Sequence, residues 1–408
     1  MAVVGVVVLA VALIPAATAG ATGGVVTTLV SVSRSGGGGN RASVAVAVTP
    51  DGRYVLFNSS ASNLVAGDTN GKSDVFVRNV VSGRTHRVDL GPNRRQANAD
   101  AVGTAISADG RFVVFTSTAS NLTRAPDTNH ASDVFLRNRK TGRTVRVSIP
   151  NHGGQFATAS LGGVVSDDGR WVAFTRIVNG DVWHTELRDR LRHTTHPIDA
   201  GPMADNQPVG ISSDGRHILM LFEDHHGTPF EYHVRDHVAS REQKVPLPPD
   251  DATVTGAVMT PDARYVAFSA FNTNSGGDDA LRWRRGAAAS TLIHGNNTNR
   301  YDTDGISSDG RYVVYSSDDP TLVAGDTNGR FDVFRDDLTG AGTIRASLST
   351  SGMQLPKGGF NGASGTELQP IQGNLTTTDG SAVVFVTNGR AVPADTNSTE
   401  DVYIRGPL

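Results

Sequence analysis

An all-β fold built as a ring of repeated antiparallel sheets is what this sequence predicts, and three observations predict it. An apolar stretch followed by Asp-Gly-Arg and an aromatic-rich run occurs seven times, with anchors at Asp51, Asp109, Asp168, Asp214, Asp262, Asp309 and Asp379. A second phrase, Asp-Thr-Asn then three free positions then Asp before a β-branched and aromatic run, occurs four times, at 67–78, 126–137, 325–336 and 394–405. The seventh unit ends at DVYIRGPL without a last strand, and VVTTLVSVSRSGG (25–37) resembles the last-strand phrase TVRVSIPNHGG (144–154). Repeats spaced 46 to 70 residues apart signal a modular architecture before any other feature is weighed.

The first unit shows how each element arises. Ser43–Val48 reads as strand one, and Pro50-Asp51-Gly52-Arg53 as a tight turn whose Pro and Gly supply the needed dihedrals. Tyr54–Asn58 reads as strand two, Asp74–Val80 as strand three, Ser82-Gly83-Arg84 as a hairpin turn and Thr85–Leu90 as strand four. Four-stranded units at this spacing predict a β-propeller, since radial repetition leaves only short, protected sheet edges. A solenoid has shorter repeats and distinct capping units. Seven anchors predict seven blades rather than six or eight, in one domain over 25–408. The strand after residue 25 is expected to complete the last blade, closing the ring as three strands plus one.

Within the 408 residues, 19% are charged and the formal net charge is −3, so no strong basic field recruits nucleic acid or an anionic membrane. There is no cysteine, which excludes disulfides, thiolate nucleophiles, Cys-ligated zinc and a lipoprotein anchor. From Ala2 to Ala19 the chain carries no charge, and Ala17-Thr18-Ala19 is a small-x-small cleavage pattern. Residues 1–19 therefore read as a secretory signal peptide, although no Lys or Arg precedes the apolar run; a retained anchor is the alternative. The expected location is secreted or cell-envelope.

The phrases S.DGR.VVF and SNL..GDTN...DVFVRD resemble the WD40-like (PD40) repeats of TolB-type propellers in exported bacterial proteins, over nearly all of 25–408. The resemblance implies the propeller fold and export. It departs from TolB in two respects: TolB has six blades and a preceding α/β domain, whereas seven units are counted here and no such domain is read. Partnership with the Tol–Pal system is therefore not implied. Propellers of the prolyl oligopeptidase type carry a hydrolase domain that is likewise not read here.

Two readings fit the four Asp-Thr-Asn loops, which are expected to form one arc on the face holding the connections between strands two and three. In the simpler one, Asp and Asn side chains form Asx-turns. In the other, the phrase looks like the calcium loops of integrin-type propellers. The ligands would be Asp68, Asn70 and Asp74; Asp127, Asn129 and Asp133; Asp326, Asn328 and Asp332; and Asp395, Asn397 and Asp401. Against calcium, the fifth position is Lys72, Ala131, Arg330 or Thr399. A degenerate copy, Asn272-Thr273-Asn274 with Asp278, occurs in unit five. The repeated arginines are expected to cover strand edges.

Eight of the twelve histidines lie between His184 and His237, and HHGTPFEYHVRDH invites a metal reading through His225, His226, His233 and His237. Four residues of strand span roughly 13 Å, too far for His233 and His237 to share an ion, so a histidine patch is the simpler expectation. No GxSxG, HExxH or phosphate loop is present. Some propellers of similar repeats are polysaccharide lyases or hydrolases, with their sites at the channel mouth on unlike blades. The unlike blades here are three to five, where Trp183, His184, Glu223, His225, Trp283 and Arg284 are candidate ligand residues; packing is the simpler role of the two tryptophans. The segment 349–370 is expected to be a long inter-blade loop on the Asp-Thr-Asn face. The functional expectation is a monomeric, non-catalytic module binding a protein, peptide or cell-wall glycan, with calcium as its one candidate cofactor. The alternative is a carbohydrate- or peptide-cleaving enzyme.

Overall fold

The computed structural model describes residues 24–178, 182–198, 204–224, 230–360 and 373–407. They form seven antiparallel sheets arranged as the blades of a propeller, six of them four-stranded in simple sequential order. In blade one the strands are Ser43–Val48, Tyr54–Ser59, Asp74–Asn79 and Arg84–Arg87, within three residues of the boundaries the sequence predicts. The seventh sheet runs Val26–Leu29, Asp401–Gly406, Val383–Thr387. Val26 pairs with Gly406 and Leu29 with Tyr403, so the first described strand closes the ring as expected. The innermost position of blade seven is held by two isolated bridges, Phe360 to Val386 and Thr376 to Val383. Residues 361–372 lie outside the described set, as do residues 1–23, which include the expected signal peptide.

Seven hydrophobic clusters each span one interface between neighbouring blades. Strand two explains how: its side chains alternate, so Val55 and Phe57 pack toward blade seven while Leu56 packs toward blade two. The seventh–first interface holds Val30, Phe57, Phe76, Val384 and Val402, so ring closure is secured by a core of its own. Within blades one, two and seven, paired aromatics on strands two and three stack with centroids 5.5 Å apart.

The Asp-Gly-Arg turn has a physical explanation at each position. Ser107 Oγ donates to Asp109 Oδ1 at 2.7 Å, and that carboxylate accepts the Arg111 N–H at 2.8 Å. The same Ser or Thr two residues before the Asp recurs in all seven turns, a regularity the sequence reading passed over. Arg111 stacks over Phe112 at 4.7 Å, joined by Arg190 of blade three at 5.0 Å, and Arg53, Arg170, Arg264 and Arg311 likewise lie over the aromatic ring that follows them, while Arg216 pairs with Asp236. Gly169 has φ +69°, and a Cβ there would lie 2.2 Å from the Phe112 ring of the preceding blade. The glycine is needed because its neighbour's aromatic fills the side-chain space. In unit five the glycine's place is taken by Ala263, at φ +55°, and there the preceding unit has His217 at its aromatic position. Gly169→Ala is therefore expected to lose about 2 kcal/mol more than Gly71→Ala. Gly71 has a similar φ of +66° but open space around it, and pays only about 1–2 kcal/mol for the left-handed conformation. Urea unfolding of the two variants checks the difference.

Candidate functional site

The loops between strands two and three lie on one face, with the Asp-Gly-Arg turns on the other. In blade one, Asn70 Nδ2 donates to Asp74 Oδ1 at 2.8 Å and to Ala97 O at 3.2 Å, while Asn70 Oδ1 accepts the Lys72 N–H. The Arg87 guanidinium, from strand four, lies 2.8 Å from Asp68 and 3.5 Å from Asp74, with all three side chains buried. Gln96 accepts from Arg87 and from the amides of Thr69 and Asn70, so it joins the arginine to the loop. Blade two repeats the set with Arg146, Asp127, Asp133 and Gln155, and blade six pairs Arg345 with Asp326 and Asp332, to both of which Gln354 donates.

An arginine and a glutamine nine residues later thus accompany the Asp-Thr-Asn loop in three blades. In blade seven the same positions are Leu29 and Gly38. There Tyr403 donates to Asp395 at 2.5 Å, Ser31 to Asp401 at 2.5 Å, and Asn397 to Asp401 at 3.0 Å. A Cβ on Gly38 would lie 2.4 Å from both Asn397 and Asp401, so those two side chains close directly on the Gly38 backbone. Burial lifts the Asp401 carboxyl to about 6. These sites do not fit calcium: in three of them a guanidinium already sits against the carboxylates, and in the fourth the chain's own donors satisfy them. Among the described residues, no three histidine, aspartate or glutamate side chains are grouped to hold a metal ion.

Blade one adds a buried acid. Asp89 stands where Ser148, Ser347 and Ser31 donate to the second Asp in their blades. It is fully buried, and burial together with the Asp74 charge raises its carboxyl well above the usual range.

Blade five differs from the sequence expectation. Its strand two runs on to Asn272, and Asp279, opposite Ala270, takes the place that Asp74 holds opposite Ser59. Asp278, the residue expected there, pairs with Phe271, and burial raises its carboxyl to about 6.

Among the described candidate ligand residues, Trp183 and His184 are not brought together with Trp283 and Arg284. Trp183 and His184 begin strand three of blade three, on the Asp-Thr-Asn face; the Trp183 N–H donates to Asp205 at 2.6 Å. Trp283 and Arg284 end strand three of blade five, on the opposite face. Trp283 is 2% exposed, packs in the core between blades four and five and donates to Ala287 O, so it is a packing residue. Glu223 lies near the end of a strand on the first face, its side chain outside the described set, as are His225 and His226. His233 is held between Glu242 at 2.7 Å and Glu231 at 3.4 Å, while the His237 ring lies 4.9 Å from Trp171.

The central cavity, about 140 Å³, is walled by innermost-strand residues such as Val48, Ile106, Val165, Ile211 and Met259. Asp167 is the one ionisable side chain among its described lining residues. On the Asp-Gly-Arg face its mouth is narrowed by backbone hydrogen bonds between turns of adjacent blades: Asp167 to Ser213, Ser213 to Pro261, Ser308 to Thr378 and Thr378 to Pro50.

With this geometry in hand, comparison with known proteins identifies the fold. No family model and no curated protein matches the chain. An oligogalacturonate lyase from Vibrio parahaemolyticus aligns over 94% of this chain and 91% of its own, at 12% identity and a TM-score of 0.56. A prolyl endopeptidase aligns over 74% of this chain and 42% of its own, at 10% identity and a TM-score of 0.51. TolB from Acinetobacter baumannii aligns over 76% and 64%, at 11% identity and a TM-score of 0.45. The likeness is one of fold. The chain spans less than two thirds of the prolyl endopeptidase and TolB chains.

Proposed function

We propose that this propeller is an exported, non-catalytic scaffold that binds a protein or peptide, or a cell-wall glycan, on the face of the loops between strands two and three. The observation that carries this reading is the lengthening of blades three to five on that face. Their second strands, Trp171–Val178, His217–Asp224 and Tyr265–Asn272, have eight residues against six in blades one, two and six. The added length presents partly exposed Ile177, Val178, Val182 and Trp183 on blade three and exposed Phe271 on blade five. An apolar edge with an aromatic anchor, raised above its neighbours, suits a protein or peptide best among these partners. Export in this reading rests on the apolar segment of residues 2–19.

Binding to immobilised peptide and glycan arrays tests the reading. Ligands of the wild-type protein are expected to lose at least about tenfold in affinity with Trp183→Ala plus Ile177→Ser. Leu191→Ser, at a residue 72% exposed in a turn of the opposite face, is expected to change nothing. Loss with Leu191→Ser alone contradicts the assignment of the face. Formation of cleavage products from oligogalacturonate or from a bound peptide replaces it with the enzymatic alternative.

A further inference from the structure

Among the described residues, a buried pair of carboxylates in blade five makes no ion pair. Asp251, at the start of that blade's innermost strand, is 9% exposed, and both its carboxylate oxygens are buried without a hydrogen-bond donor. Its carboxyl faces Asp279, itself 2% exposed, with Asp250 and Asn272 as its other polar neighbours. Asp279 already accepts from Asn272 Nδ2 at 3.0 Å and from the Asn296 N–H at 2.8 Å, and the Asn296 amide oxygen lies 3.5 Å from that same Nδ2.

The sister blades show what this arrangement lacks. The equivalents of Asp279 in blades one, two and six each face a guanidinium, from Arg87, Arg146 or Arg345. In blade five the equivalent of Arg87, by strand register, is Leu292, which is 41% exposed. In place of a cation, Asp279 meets a second carboxyl. Two buried carboxylates side by side are strongly unfavourable unless a proton or a cation lies between them.

We propose that Asp251 and Asp279 form a calcium site, completed by the side-chain oxygen of Asn296 and by solvent. Calcium accepts irregular sets of carboxylate and amide oxygens, and a two-carboxylate site of this kind makes a modest-affinity ligand set. The ion would supply the counter-charge that a guanidinium supplies in the sister blades.

The test is thermal unfolding of the full chain, stripped with EDTA and titrated with calcium chloride at pH 8, for wild type and Asp251→Asn. The expected result is a saturable rise in Tm, on the order of 5 °C at 100-fold excess over Kd, absent in Asp251→Asn. Bound calcium measured after gel filtration at pH 8 gives a readout that does not depend on the variant. A wild type that binds no calcium and shows no rise, or a rise that Asp251→Asn retains, overturns the proposal.

Discussion

Arg87→Met is expected to lose about 3–5 kcal/mol of unfolding free energy, among the largest effects of any single substitution in the ring. The guanidinium and the two carboxylates it touches, Asp68 and Asp74, are each less than 5% exposed at the side chain. Removing the cation leaves two carboxylates buried, close to a third acid at Asp89. It also removes the hydrogen bond that Arg87 donates to Gln96. Methionine keeps much of the side-chain volume, so the loss reports charge and hydrogen bonding more than a cavity. The deficit is expected to shrink at acid pH, where protonated carboxyls need no counter-charge. Urea unfolding at pH 5 and pH 8 measures both. By contrast, Arg84→Met, on an exposed residue of the same strand, is expected to stay within about 0.5 kcal/mol of wild type.

Val30→Asp is expected to open the ring. Val30 directly follows the closing strand, is 1% exposed and packs in the core between blades seven and one. A charge there is desolvated with no partner, a cost of more than about 4 kcal/mol, and it falls directly beside the strand joining the two ends of the chain. Val26→Asp, in the same strand but 46% exposed, is expected to be nearly silent. Near-equal destabilisation of the two variants in thermal melts would mean that the first strand does not close the ring.

The seven units and their closure were legible because a turn that must repeat leaves residues that must repeat. Asp109, Gly110 and Arg111 each meet a need of the backbone or of the next blade, and those needs recur at every interface. The Asp-Thr-Asn loops were half legible. Their Asx geometry could be read from Asp68, Asn70 and Asp74, but the partner lies on another strand. Arg87, Arg146 and Arg345 occupy the same place in THRVDL, TVRVSI and TIRASL, each followed nine residues later by Gln96, Gln155 or Gln354. Blade seven lacks both residues and has Tyr403 where the others have Phe. That joint change was visible in the sequence; its meaning needed the register between strands three and four. Trp183 and Trp283 do not share a site for a related reason: one begins a third strand and the other ends one, so the length of a blade separates them. In blade five, the extension of strand two moved the equivalent acid from Asp278 to Asp279, a one-residue shift that no spacing rule detects.

In blade one the chain's own arginine, Arg87, holds the Asp-Thr-Asn loop closed. A double-mutant cycle of Arg87→Met with Asp68→Asn, read by urea unfolding, tests it most directly. The account predicts that the double variant loses clearly less than the sum of the two single losses, with a coupling of about 1–3 kcal/mol, because removing the charge at Asp68 relieves part of what losing Arg87 leaves behind. Losses that simply add would show that Arg87 and Asp68 are neighbours without being partners, and would contradict it.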